Sequence, residues 1–284
     1  MTAERRPVIV GVDGSPAAFG AVRWAADEAM RLGRSLRVVH ALEVYGPYED
    51  VSDERDLAHD AATEIRRWQP GLEVTVGTWH GEPARVLVEQ SRTAGLVVVG
   101  SRGSGGFHSL LVGSVGLHLA AHAHCPVLVV HHAERWAGPE SPLPYREPIV
   151  VAVDGSHDAA YGLGLGFAEA ASRGVALHAL RTWHEPGHRW GRSPDPAGRA
   201  AAAGRELAAE LEPWRAKYPD VPVVPRVAHC PSVPVMLQAA RDALMFVIGA
   251  RGRGGFEGML LGSVAHQVLH HADCPVLVAR RTPG

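Results

Sequence analysis

Three short blocks of this chain are written twice in the same order, and no other feature restricts its fold so tightly. VIVGVDGS at residues 8–15 returns as VVAVDGS at 150–156, which sets Asp13 and Asp154 141 residues apart. GSRGSGGFHSLLVGS at 100–114 returns as GARGRGGFEGMLLGS at 249–263, and HCPVLVV at 124–130 as DCPVLVA at 273–279, both 149 residues on. Each copy is the size of a domain, so the chain is a duplication and not a solenoid. The second copy must carry about eight extra residues, and WHEPGHRWGRSPDPAG at 183–198, rich in Pro, Gly and charge, is their expected place. HHAERWAGPESPLPY at 131–145 has breakers and no periodicity. The expected organisation is a domain over residues 1–133, a linker over 134–146 and a second domain over 147–284.

Within the first copy, strand and helix patterns alternate. Val8 to Val12 is a continuous apolar run that suits a buried parallel strand. Pro16 to Leu32 carries Ala18, Val22, Ala25, Ala29 and Leu32 at helical spacing, with Gly33 as the stop. Strands follow at Leu36–Val39, Glu73–Thr78, Leu96–Val99 and Pro126–Val130; helices are expected at about Asp53–Trp68, Pro83–Thr93 and Gly113–Ala121. Such alternation needs crossover connections and a parallel sheet covered on both faces. Each half is therefore read as a doubly wound, Rossmann-like α/β domain with a five-stranded parallel sheet flanked by helices.

In such sheets ligands bind beyond the carboxyl ends of the strands. Gly100 and Gly249 stand there, where a glycine permits a turn or a close approach to the backbone. Gly113-Ser114 and Gly262-Ser263 open the next helix, whose free amides favour an anion and whose serine adds a hydroxyl and can cap. The run suits a polyphosphate; equally, glycines after strands make turns. It is neither the Walker loop nor G-x-G-x-x-G, and the chain's one lysine, Lys217, is remote in sequence. Phosphate would rest on amides, hydroxyls and the arginines Arg102, Arg251 and Arg253.

Taken together, VDGS after the first strand, G-x2-G-x9-GS after the fourth and CPVLVV as the last strand resemble the universal stress protein family, in its tandem form, over essentially the whole chain. The resemblance implies the adenine nucleotide alpha hydrolase-like variant of the fold and an ATP-binding, nucleotide-dependent stress-response regulator. Matched onto this chain, the first ATP site would use Asp13, Ala41, Gly100, Gly103, Gly113 and Ser114. The second would use Asp154, Thr182, Gly249, Gly252, Gly262 and Ser263. The two aspartates would accept from the adenine amino group; an Asp-Gly turn, with Asp bonding its own backbone, is the competing reading. Magnesium would accompany a triphosphate, without a dedicated ligand in the sequence. The resemblance further implies that the closing strands pair within the chain, and it leaves room for a homodimer. The copies also differ. Gly81-Glu-Pro becomes His229-Cys-Pro, Ser101 becomes Ala250, and His40-Ala-Leu becomes Arg181-Thr-Trp, so base and ribose would sit differently in the second half. A weak ATPase or autophosphorylating protein and a nucleotide-independent scaffold are the alternatives.

Composition narrows the rest. A net charge of −2 gives no reason to expect nucleic acid or an anionic membrane as partner. No run approaches the ~20 apolar residues of a membrane span, and the charged lead onto Val8 lacks a leader's apolar core. Cys125, Cys230 and Cys274 have no CxxC spacing and read as reduced thiols in a cytoplasmic protein. His118/His122 and His266/His270 are four apart on helices, but the 149-residue register pairs His118 with Gln267, so surface histidines are expected and no metal site. Lipase-type elbows, zinc-hydrolase and kinase signatures are missing, and Asp27, Glu28, Glu89 and Glu169 are expected on solvated helix faces. No catalytic residue is assigned, and binding without catalysis is the expectation.

Overall fold

The structure, a computed structural model, describes residues 6–42, 57–103, 112–132, 146–183, 195–229, 232–254 and 259–280. The chain divides into two compact units, Met1–Leu143 with Arg280–Gly284, and Pro144–Ala279. In the first unit the elements run β1 (Val8–Val12), α1 (Pro16–Leu32), β2 (Leu36–Leu42), α2 (Leu57–Trp68), β3 (Val74–His80), α3 (Pro83–Ser91), β4 (Leu96–Gly100), α4 (Ser114–His122) and β5 (Val127–Val130). The second unit repeats them as β6 (Ile149–Ala152), α5 (His157–Arg173), β7 (Leu177–Trp183), α6 (Pro196–Lys217), β8 (Val223–His229), α7 (Ser232–Arg241), β9 (Met245–Gly249), α8 (Ser263–His271) and β10 (Val276–Ala279).

Strand order is β3-β2-β1-β4-β5 in the first unit and β8-β7-β6-β9-β10 in the second, with parallel pairing throughout each. The doubly wound reading therefore holds in both copies. Strand register confirms both repeat offsets: Val8 pairs Leu36 as Ile149 pairs Leu177, and Leu36 pairs Val74 as Leu177 pairs Val223. The extra residues of the second copy lie between β7 and β8, where the predicted loop at 183–198 gives way to α6 from Pro196; residues 184–194 lie outside the described residues. So do Asp53 to Asp56 of the helix predicted from Asp53, and most of the predicted linker. Strands β2 and β3 run two to three residues further than the apolar pattern indicated, because their ends alternate and pair on one edge only.

Helix starts and stops follow local chemistry. The Ser15 hydroxyl accepts from Ala18 N (3.1 Å), Pro16 supplies the preset φ of the first turn, and Gly33 ends α1 in the left-handed region at φ 59°. Ser156 and Gly174 (φ 66°) do the same for α5. Both faces of the inner strands are covered: every residue of β6 and β9 is buried. Trp24 of α1 and Phe167 of α5 are fully buried, Phe167 stacking on Trp214 of α6 and Tyr218 at its end.

Two carboxylates depart from expectation. Glu28 and Glu169 are buried, not solvated, and each is held by an arginine of its own helix, Arg31 and Arg173. A carboxylate at an inward position can be retained when a cation one turn on neutralises it. Cys125 and Cys274 are buried free thiols opening the closing strands; Cys230 lies outside the described residues. Burial pushes the Cys125 thiol up to about 12, with a bond from backbone Val97 opposing. Because the thiolate is the reactive form, Cys125 is expected to resist iodoacetamide at pH 8 in the folded chain and to react on unfolding in guanidinium, read by peptide mass mapping.

Candidate functional site

In each unit the chain winds outward from β1 or β6, then returns to lay β4 or β9 on that strand's other side. Helices α1 and α2 cover one face and α3 and α4 the other, as α5 and α6, and α7 and α8, do in the second unit. The neighbouring strand ends are thus a topological switch point, where loops diverge and a crevice opens. Asp13 and Gly100 stand at it in the first unit, Asp154 and Gly249 in the second.

The aspartates fasten the crevice. Asp13 Oδ1 accepts from Ser15 N (3.0 Å) and Asp154 Oδ1 from Ser156 N (2.9 Å), the Asp-Gly turn bond. The other oxygen faces the glycine run: Asp154 Oδ2 accepts from Arg253 N at 3.1 Å. A serine completes the staple, Ser156 Oγ donating to Arg251 O (3.1 Å) and Ser15 Oγ to Arg102 O (3.4 Å). The Asp154 carboxylate therefore makes its turn and grips the loop at once.

The glycines sort into two kinds. A Cβ on Gly100 would stand 2.6 Å from the Ala17 backbone, and one on Gly249 2.8 Å from Ala159 N. These two let the helix start pack onto the strand end, so the fold itself requires them. Gly103 and Gly252 press on Asp13 and Asp154, a Cβ meeting Oδ2 at 2.7 and 2.6 Å. Gly113 and Gly262 differ. Their φ values, −74° and −70°, suit any residue, and the nearest atoms to an added Cβ would be 3.7 and 3.5 Å away. Among the described residues, no packing contact demands a glycine there.

Those same residues are the N-caps of α4 and α8, with no side-chain cap, so Ser114 and Ser263 are first helical residues and not caps as the sequence allowed. Gly113 N and Gly262 N close the loop onto Ser101 O (2.7 Å) and Ala250 O (2.8 Å). A carbonyl does this work, which is why Ser101 and Ala250 interchange. The following amides, Ser263, Val264 and Ala265 in α8, have no intrahelical acceptor.

In the second unit a cavity of about 850 Å³ gathers all six predicted residues: Asp154, Thr182, Gly249, Gly252, Gly262 and Ser263. Ser263, Val264 and Ala265 line it too, with four arginines, Arg181, Arg199, Arg251 and Arg253, against the acids Asp154 and Glu206. Positive lining beside helix-start amides suits an anion. Lys217 takes no part; its ammonium stacks on Trp214 (5.4 Å) and Tyr218 (5.3 Å). In the first unit residues 104–111 lie outside the described residues. A cavity of about 670 Å³ between α1 and α2 includes Gly14, Ser15 and Phe19 but none of Asp13, Ala41, Gly100, Gly103, Gly113 and Ser114.

Several participants escaped the sequence reading. Asp158, buried, accepts from Arg251 N (3.2 Å) and pairs with its guanidinium (3.4 Å), latching the run in the second unit where the first has Ala17. Arg181 is clamped by Glu206 (2.6 Å) and Glu210 (2.8 Å), tying α6 to β7 as a cavity wall. Ser232, not named from the sequence, brings its Oγ to 2.9 Å from Oγ1 of the predicted Thr182. Only the second-copy acid at Asp158 and the i,i+4 pair Glu206/Glu210 left a trace in the sequence, as charges with no first-copy counterpart. The histidine pairs lie ring against ring, His118 on His122 (4.1 Å) and His266 near His270 (4.6 Å). Burial, with His266 and His271 nearby, holds His270 below the usual imidazole range.

A sequence model of the universal stress protein family matches residues 4–131 and 146–280. A universal stress protein of Mycobacterium tuberculosis is 37 % identical over 298 residues, covering 97 % of this chain and 96 % of the relative. One from Mycolicibacterium smegmatis is 34 % identical over 293 residues, covering 96 % of each. The crystal structure of a universal stress protein from Archaeoglobus fulgidus superposes with a TM-score of 0.66 at 18 % identity, covering 98 % of this chain and 100 % of that one.

The two kinds of glycine are separable by stability. Gly249→Ala forces a Cβ onto backbone and is expected to cost about 1–3 kcal/mol, whereas Gly262→Ala is expected to cost less than about 1 kcal/mol, both read by urea denaturation.

Proposed function

The chain belongs to the universal stress protein family, and we propose that it is a nucleotide-dependent regulator that binds ATP at the switch point of each domain. The observation that carries this reading is Gly262, a glycine that no described residue crowds and that needs no left-handed φ, at a helix start without a side-chain cap and facing a cavity lined by four arginines. Bare backbone at such a position lets a phosphate approach amides that a side chain would shield.

On this reading the phosphates rest on the amides of Ser263, Val264 and Ala265 and the Ser263 hydroxyl, with Arg251 and Arg253 adding charge. The adenosine end extends toward Asp154 and Thr182. The first site, with Asp13, Ala41, Gly100, Gly103, Gly113 and Ser114, works alike. A magnesium ion would travel with the triphosphate, held by its oxygens. Regulation follows from position: a ligand bridging the end of β6 and the start of α8 favours whichever arrangement keeps both in reach. Saturation at a hundredfold excess over Kd would stabilise the bound unit by about 2.7 kcal/mol.

Freshly purified protein, denatured and assayed by mass spectrometry, is expected to release about two adenine nucleotides per chain. Gly113→Ala and Gly262→Ala together are expected to stay folded and to bind ATP at least about tenfold more weakly in calorimetry, one lost charge-assisted bond per site being worth that much. No released nucleotide and no ATP uptake by the wild-type chain would sink the proposal.

A further inference from the structure

The outer strands of the two copies, β3 and β8, each pair on one side only. In a parallel ladder, alternate residues turn their backbone groups toward the neighbouring strand and the others turn theirs away. Leu36 N donates to Glu73 O and Gly81 N to Leu42 O, both at 2.9 Å, so the odd-numbered residues of β3 face β2. Val74, Val76 and Thr78 therefore face outward. In the second copy Leu177 N donates to Pro222 O (2.9 Å), which turns Val223, Pro225 and Val227 of β8 outward.

The two edges are guarded differently. Val38 pairs Val76 as Ala179 pairs Pro225, so Pro225 stands where the first copy has Val76. The N–H that this proline lacks is an outward one; the ladder to β7 stays whole and the exposed edge loses a donor. Arg226 beside it adds a charge, a second guard against strand addition. The first copy has neither. Val74 to Trp79 reads VTVGTW, without proline or charge and rich in β-branched residues. From α2, Arg66 Nη2 donates to Val74 O (3.1 Å). The outward N–H and C=O of Val76 and Thr78 meet no partner among the described residues.

This pattern selects the occupant. A contact from β3 of one chain to β8 of the next is head to tail and need not close, and Pro225 guards against it. A contact from β3 to β3 is isologous and stops at two chains. Antiparallel pairing about Gly77 sets Val76 opposite Thr78 of the second copy, and Thr78 opposite its Val76, with two backbone bonds in each pair. Thr75 then lies across from Trp79 of the copy, a β-branched residue against an aromatic one. No like charges oppose each other along the paired strands. We propose that β3 is a self-association edge, through which two copies of this chain pair strand to strand about Gly77.

The test uses the full chain. Sedimentation velocity is expected to show a species of twice the chain mass, and hydrogen–deuterium exchange at residues 74–80 to slow as protein concentration rises. Val76→Pro copies the guarded edge and leaves the β2 ladder intact. It is expected to weaken dimerisation at least about tenfold, because each dimer loses two backbone hydrogen bonds. Should circular dichroism show that this variant does not fold, Thr78→Lys, at an exposed position, carries the same expectation. A wild-type chain that stays monomeric overturns the proposal, as does a folded variant that dimerises as tightly as wild type. A dimer whose 74–80 amides exchange at the monomer's rate overturns it too. Slow exchange there at every concentration would give the edge another occupant and overturn the second copy as its partner.

Discussion

The Asp154 carboxylate is the point on which the second unit's site hangs. One oxygen shapes the turn after β6 through Ser156 N, and the other takes Arg253 N from the far side of the crevice. Two segments almost a hundred residues apart in sequence are thereby held at one place, and the N-terminus of α8 with them. Such a bond, between a charged acceptor and backbone donors, is stronger than a neutral one. Ser156 repeats the grip through Arg251 O. Asp13 and Ser15 build the same staple in the first unit, where Gly103 yields space to the carboxylate.

Sheet topology supplies the rest of the constraint. A parallel sheet wound both ways from a central strand must part its loops at the carboxyl ends of β1 and β4, or of β6 and β9. The fold leaves the amides of an uncapped helix pointing into that gap, since neither Gly113 nor Gly262 offers a side chain to cover them. By contrast α1 and α5, which start on the other side of the same gap, are closed by Ser15 and Ser156. One helix start per unit is sealed and the other is left open, and the difference lies in a single hydroxymethyl group.

The fold was legible because its signals are local: apolar runs, apolar residues at helical spacing, and Gly33 as a stop. In the second unit one cavity gathers the residues that the spacing marks, but spacing does not tell their structural roles apart. Spacing marks Gly100, Gly103 and Gly113 alike, yet only a measured approach of Ala17 to Gly100 separates a glycine the packing requires from one it does not. Glu28 and Glu169 were misplaced for a related reason. Their partners sit three and four residues on, Arg31 and Arg173, so the pairs look unequal in the repeat although helix geometry makes both neighbours. Contacts that join distant segments, Asp158 with Arg251 and Thr182 with Ser232, carry no periodic signature at all.

Comparison of the copies then locates where a duplicated site was free to differ. Gly262 and Gly113, Ser263 and Ser114, and Asp154 and Asp13 are unchanged, and where Ser101 became Ala250 the bond is made by a carbonyl that the change does not touch. The substitutions gather at the other end, from His40-Ala-Leu to Arg181-Thr-Trp and from Pro83 to Ser232. Arg181 could enter only because α6 brought Glu206 and Glu210 with it, since a buried guanidinium without carboxylates would be costly. The cavity wall, the Thr182–Ser232 hydroxyl pair and the Trp183 indole thus all differ from the first copy. Gly249, Gly252, Gly262 and Ser263 match the first copy, and these differences lie in what stands opposite them.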